Sequence, residues 1–264
     1  MTADNALDFG DAFLRRARSL HVDRNRLSSR VAGLIARTIL EEELEPGHAL
    51  PPEREMIEYF GIGRATLREA LRLLEADGLL RMRMGPHGGP EVSHPEIDRV
   101  TRMMLLFLVT SGTTLRQIYA VRSGLDPITA RHAAEAATPE QRRELLTSVE
   151  RMPDTLADEE AFLAENTEFH RLVAVACGNP MLMAMSLSLH TIIDGHDAGA
   201  HYGYRARESV VGLHGAITTA IDAGDGDAAA KAAAEHVRVA LDYLERKNPA
   251  ALDAKLRPTD LLGY

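Results

Sequence analysis

The sequence contains a single cysteine, Cys177, among 264 residues. No internal disulfide can form, and this usage fits a reducing cytoplasm. Long hydrophobic runs are missing too: stretches such as 103–109 fall far short of the ~18 residues that a membrane span needs. Residues Met1 to Gly10 are acidic and have no apolar core, which is not the pattern of a secretory signal. Positive charge is also in short supply, with 30 Lys and Arg against 39 Asp and Glu and a net charge of -9. That balance argues against indiscriminate nucleic-acid binding but leaves room for a local basic surface. What is present is a folding composition: 45% apolar and 26% charged residues exclude global disorder. At ~100–200 residues per domain, the length suggests two domains.

The charge is uneven. Residues 1–26 carry five Arg and four acids with little apolar periodicity, and read as an N-terminal arm. Residues 27–94 are net -3 and residues 95–264 net -7, yet the stretch Arg64 to Arg83 holds five Arg against three acids. Within 27–94, Ser28 or Ser29 can cap a helix with the stripe Val31, Leu34, Ile35 and Ile39, running to about Leu44. Pro51-Pro52 opens a short helix over Glu53 to Phe60. Gly61-Ile62-Gly63 turns into a third helix, Arg64 to Ala76. Leu80, Met82 and Met84 then alternate with Arg81 and Arg83 as a strand, Gly85 to Pro90 forms a turn, and Glu91 to Ser93 is a return strand. From 95 to 249 the pattern is helical throughout, broken at Thr138-Pro139, Met152-Pro153, Gly178-Asn179-Pro180 and Gly224-Asp225-Gly226. Residues 250–264 read as a C-terminal tail. The fold class is therefore mostly α: an N-terminal winged helix-turn-helix plus a C-terminal all-α antiparallel helical bundle.

On the third helix, Leu67, Ala70, Leu71 and Leu74 form a buried stripe, while Arg64, Arg68 and Arg72 recur on another side. A helix with one apolar face and one arginine ridge can rest on its domain and enter a major groove, its N-terminal turn meeting base edges. The same arginines could equally be a solvated face. Arg81, Arg83 and His87 on the hairpin favour the DNA reading, since a wing touches backbone or minor groove. The ordered segments Leu50-Pro51-Pro52-Glu53-Arg54-Glu55, Gly61 to Leu71 and Leu74-Glu75-Ala76-Asp77-Gly78-Leu79 strongly resemble the DNA-binding domain of GntR-family transcription regulators. The resemblance implies DNA contacts at Arg54, Arg64, Thr66 and Arg68, and a wing glycine contact within Gly85 to Gly89, assigned to Gly88. Gly63 stands where that family usually has Ser or Thr, so a hydroxyl contact to phosphate is lost.

Eleven histidines are present. Most, such as His48, His132 and His201, read as ordinary polar residues, and the methionines at 103, 104, 181, 183 and 185 as core filler. His214 and His236 are different: each lies eleven residues from Asp225, so in an antiparallel pair they share one level of the bundle, a plausible metal site. Asn166 and His170 share a helix face four residues apart. Phe169-His170, Cys177-Gly178-Asn179, Leu213 to Ile217 and Gly224-Asp225 with Ala232 and His236 look like the FCD ligand-binding domain of the FadR-like subfamily. That resemblance implies a divalent metal, zinc or nickel, held by His170, His214, His236 and position 166. Asn166 replaces the Asp common there, which removes one charge from the shell. Arg122, four residues before Asp126, resembles the Arg-x-x-x-Glu pair of that domain, and either binds an effector carboxylate or forms a salt bridge with Asp126.

These features lead to a cytoplasmic, metabolite-responsive repressor. It would bind a pseudo-palindromic double-stranded operator as a homodimer and sense an organic or sugar acid, with no membrane involvement. Two other readings stay open on the residues: a metal-dependent hydrolase carrying a DNA-binding head, and a dimeric architectural protein with a metal-free helical domain. Against the hydrolase, no His-Glu-x-x-His pattern occurs, and Glu168 and Glu235 do not face the metal position.

Overall fold

The computed structural model describes residues 24–85, 88–195 and 203–257, which fall into two compact units meeting at Glu96–Ile97. Most of the expected arm over 1–26, together with His87 and His201, lies outside the described residues. Among the described residues no helix is long and apolar enough to cross a membrane.

The first unit comprises α1 (Arg24–Glu41), α2 (Glu53–Phe60), α3 (Arg64–Ala76), β1 (Leu80–Arg83) and β2 (Gly89–Val92). Helix α1 starts before Ser28, so neither Ser28 nor Ser29 caps it, and Ser28 is a buried interior position. The expected stripe is otherwise found: Val31, Ile35 and Ile39 are buried, with Leu34 packed against the same cluster. They meet Met56 and Phe60 of α2 and Leu67, Ala70, Leu71 and Leu74 of α3. Gly61 adopts φ 61°, and its N–H donates to the Ile57 carbonyl, closing α2 in the left-handed conformation that glycine adopts without steric penalty.

The strands pair antiparallel, with Leu80 opposite Val92 and Arg81 opposite Glu91. Backbone bonds from Leu50 to Pro90 and from Val92 to His48 add residues 48–50 along the other edge of β2. Inward alternation of Leu80, Met82 and Met84 does not hold. Leu80 is buried, but Met82 lies at the surface and Met84 is almost fully exposed, because the ribbon runs off the helical core after its first residue. At the tip, a Cβ on Gly88 would collide with the Arg83 carbonyl, so only glycine fits this turn.

The second unit is helical: α4 (Ile97–Thr110), α5 (Leu115–Ala136), α6 (Pro139–Arg151), a short 3-10 turn (Met152–Thr155), α7 (Glu159–Ala176), α8 (Pro180–Gly195), α9 (Tyr204–Asp222), α10 (Gly226–Lys247) and α11 (Pro249–Asp253). Its boundaries follow capping chemistry. Thr114 with Gln117 and Thr138 with Gln141 form capping boxes on α5 and α6, while Asp158 and Asp225 accept from the first turns of α7 and α10. Small side chains, Ala130, Ala133 and Ala134 on α5 with Ala229 and Ala233 on α10, let the helices approach closely around Phe169, Ile217 and Ile221. Arg142 of α6 donates to the carbonyls of Ala134, Ala137, Ile221 and Asp222, placing a cation where α5 and α9 end. The single thiol, Cys177, is buried in this core.

Two expectations need correction here. The supposed tail is structured through residue 257: Leu252 and Leu256 are buried, and the Leu256 N–H donates to the Thr113 carbonyl at 2.9 Å. Its apolar residues had a groove to fill beside α5. Of the five methionines taken as filler, Met103 and Met181 are exposed, whereas Met104, Met183 and Met185 pack against the core.

Candidate functional site

In the first unit, Gly63 precedes α3 in an extended conformation, and its carbonyl accepts from the N–H groups of Thr66 and Leu67. Arg54, Arg64, Arg68 and Arg72 are exposed and Thr66 is half-buried. Arg68 donates to Glu53 of α2 at 3.2 Å, and Arg72 lies 3.7 Å from Glu69. Exposed pairs of this kind contribute little to stability, so these side chains remain available to a polyanion. The backbone N–H of Met82 donates to Glu75 at 3.3 Å, tying the end of α3 to β1. Gly88 is exposed at the hairpin tip.

In the second unit, α7, α9 and α10 bring His170, His214 and His236 together, with one ring nitrogen of each within 4.8 Å of the others. All three are buried. The Nε2 atoms of His214 and His236 stand 3.1 Å apart, and His214 Nδ1 faces the Met152 sulfur at 3.3 Å. With the Nδ1 proton directed at that weak acceptor, the His214 Nε2 lone pair points into the cluster. Phe169 stacks flat on His214, with ring centroids 3.8 Å apart, and fixes its plane. Loss of water pushes His236 down to about 3 and holds His170 and His214 well below 6.5. Three neutral imidazoles are the form in which histidine ligates a metal. Two nitrogens on one tetrahedral zinc or similar ion would lie about 3.3 Å apart from bond lengths of roughly 2.0–2.1 Å; the His214–His236 pair matches that spacing, and imidazole nitrogen is a donor such an ion takes.

Asn166 sits one turn before His170 on α7, half-buried. Arg122 is buried and donates through Nε and Nη2 to Asp126 Oδ2 at 3.0 and 2.8 Å, with its guanidinium over the Tyr119 ring. Two residues that the sequence reading left out of the site join it. His190 of α8 stacks on His170, with ring centroids 4.0 Å apart, and its Nε2 lies 3.6 Å from Asp126 Oδ2. Asp126 Oδ1 is buried without a hydrogen-bond partner among the described residues. Burial alone would raise the Asp126 carboxyl, but Arg122 and His190 outweigh it and hold the group well below the usual carboxylate range. Asp126, Thr129, His170, Ser186, His190 and His236 face a cavity of about 20 Å³. A volume of ~10–15 Å³ already accommodates a water molecule, so this cavity has room for little more. The one available sequence signal for Asp126 was its spacing from Arg122; a lone His190 gave none.

Residues 27–86 match the family described as bacterial regulatory proteins, gntR family, and residues 117–239 match the FCD domain. The chain is 32% identical over 193 residues to the HTH-type transcriptional repressor NanR of Enterobacter sp. (strain 638), covering 72% of each protein. It is also 32% identical over 186 residues to that of Cronobacter sakazakii, covering 69% of this chain and 70% of the relative. Among solved structures it resembles Streptococcus agalactiae GntR with a TM-score of 0.62 at 25% identity, over 81% of this chain and 98% of that one.

Proposed function

This chain belongs to the GntR family of bacterial regulatory proteins and carries an FCD domain, and on that premise we propose how its two units divide the work. Its class is that of a metabolite-responsive, DNA-binding transcription regulator, not an enzyme. The hydrolase reading is withdrawn, since the family and the relatives are regulators, and so is the purely architectural one.

The proposed arrangement is a homodimer placing two copies of α3 in successive major grooves of a pseudo-palindromic operator. Arg54, Arg64, Thr66 and Arg68 contact DNA, with His87 and Gly88 on the wing. Repression is the proposed sense, because the matched relatives are repressors, and the place of action is the cytoplasm, where operator DNA lies. His170, His214 and His236 hold a divalent ion, zinc or nickel rather than calcium or magnesium, because imidazole nitrogen suits the former pair. Asn166 is the proposed fourth contact, with a neutral amide oxygen. When bound, the ion supplies a positive centre for an oxygen of the effector, an organic or sugar acid. Arg122 acts beside it, directly on the effector carboxylate or through Asp126.

The observation that carries this reading is the trio of buried neutral imidazoles that meet one another, two of them, His170 and His236, lining the cavity that Asp126 also faces. The small cavity adds a coupling argument. Sugar-acid-sized ligands occupy pockets of roughly 300 Å³ or more, so an effector must select or induce a more open arrangement of α5, α7 and α8. A ligand shifts such an equilibrium only by its differential affinity for the two arrangements.

The test is operator affinity of metal-loaded protein across a panel of small carboxylates and sugar acids. At least one should change affinity by about tenfold or more, which corresponds to roughly 1.4 kcal/mol of coupling. Constant affinity across saturating concentrations of the whole panel would overturn the sensing assignment.

A further inference from the structure

The wing holds a buried carboxylate that the DNA-binding scheme above does not use. Glu91 lies on β2, opposite Arg81 on β1 and bridged on its other side to Ala49, so it occupies the middle of a three-stranded ribbon. Only 4% of it is exposed, while the side chains of Arg81 and Arg83 are 67% and 63% exposed. Arg81 donates through Nε at 3.0 Å and through Nη2 to Oε1 of Glu91. Arg83, two residues along the strand and therefore on the same face, places Nη1 3.7 Å from Oε2. Both wing guanidiniums thus lean on one carboxylate, the only acidic side chain in β1 and β2. The hydrogen bond from Arg81, opposed by burial, holds this carboxyl below its ordinary value, so it stays ionised at neutral pH.

We propose that Glu91 is a positioning residue that withholds positive charge from the wing, so that sequence-independent binding to phosphate is weaker than two exposed arginines would make it. Phosphate binding scales with the cationic charge a protein brings to the duplex, and that dependence appears in the salt slope. With Glu91 in place, three charged groups on this face sum to one positive charge rather than two. The wing still offers N–H donors for positioning, but less of the undirected attraction that holds a regulator on random sequence. Selectivity then rests more heavily on α3. An alternative role, in which Glu91 presents Arg81 to the backbone and so strengthens binding, predicts the opposite sign.

The inference rests on the head binding duplex DNA. The experiment uses the full chain and a random-sequence duplex of about 30 base pairs, titrated between ~50 and ~200 mM salt. Glu91→Gln keeps the shape and one carbonyl acceptor for Arg81 while removing the charge. It should bind several-fold more tightly at the lowest salt, with the slope of log affinity against log salt steeper by about one. The double variant Arg81→Gln with Glu91→Gln removes one charge of each sign, so it should reverse the steepening and keep the slope of the unaltered chain. Weaker binding or an unchanged slope for a folded Glu91→Gln protein would overturn the proposal. So would a double variant of Arg81→Gln with Glu91→Gln whose slope is flatter by about one than that of the unaltered chain, a comparison that decides the matter even if Glu91→Gln alone fails to fold. No detectable binding of the unaltered protein at low salt would instead contradict the DNA-binding reading itself.

Discussion

His214 and His236 face each other across α9 and α10 with their Nε2 atoms 3.1 Å apart. The turn at Asp225 sets this meeting, since the two histidines are equally distant from it in sequence. Without an ion, one ring must donate a proton to the other. With an ion bound, both nitrogens would be free to act as its ligands.

That relationship predicts the behaviour of His214→Ala. The variant should lose most bound zinc or nickel by elemental analysis while its affinity for operator DNA in the absence of effector stays near that of the unaltered chain. Stabilisation by metal follows mass action, about 2.7 kcal/mol at a hundredfold excess over Kd. The melting temperature of the unaltered protein should therefore rise with metal and fall with chelator, and that of the variant should respond to neither. Full metal content in a combined His170, His214 and His236 variant would refute the shell.

The depressed histidines also make the metal-free protein acid-labile. A folded-state value below the unfolded one means that unfolding takes up protons. The stabilising contribution is complete above the ordinary histidine value near 6.5, and it is lost as pH falls from there toward about 3 for His236. His170 and His214 act in the same direction. Each histidine steepens the loss by up to about 1.4 kcal/mol per pH unit. Denaturant melts of chelated protein at pH 7.5 and pH 5.5 should show a clear drop, smaller in the His236→Gln variant. Equal stability at both pH values would contradict the buried neutral state.

Asp126→Asn tests the ion pair that reaches the cavity. Arg122 would keep its buried charge without a carboxylate, and breaking a buried pair in this way costs about 3–5 kcal/mol. Unfolding midpoints report that loss. Arg122→Met, which removes the guanidinium, combined with Asp126→Asn should recover part of it. A single Asp126→Asn variant as stable as the unaltered chain would show that the pair is not worth its desolvation.

On the head, Arg64→Ala and Arg68→Ala should each weaken operator binding by roughly 1–3 kcal/mol if they read base edges. A phosphate contact would instead lower the salt slope by about one. Folding should be unaffected, because both side chains are exposed and the Arg68–Glu53 pair is a surface one. Normal binding by both variants would remove α3 from the interface.

Much of this architecture is legible in the chain because local chemistry and long-range packing agree. Helices α2 and α3 begin and end at the expected residues, since Pro52, Gly61 and Gly63 punctuate them and the stripe from Leu67 to Leu74 has one face to bury. The level pairing of His214 with His236 follows from a turn and a helical rise. Register-dependent features are not legible in this way. Glu91 looks like an ordinary polar residue until the strands pair and set Arg81 opposite it. His190 carries no mark in its neighbourhood, and only the rotation of α8 against α7 stacks it on His170. Ser28 resembles a cap, yet the helix runs past it because the interior has room for it. Leu252 and Leu256 follow a break at Asn248-Pro249 that reads as an ending, whereas the groove that receives them includes Leu115, Ile118 and Tyr119, more than a hundred positions earlier.

The cavity lined in part by Asp126, at about 20 Å³, would also set a scale for sensitivity. If the roomy form that admits an effector is a small fraction of the population, apparent affinity falls by that same fraction. A form populated at about 1% would raise the metabolite concentration needed for half-response roughly a hundredfold. Substitutions that enlarge the space, such as Thr129→Ala or Ser186→Gly, would then lower that threshold without touching any group that grips the ligand. Tight closure would make the regulator deaf to traces of its signal and responsive only to abundance.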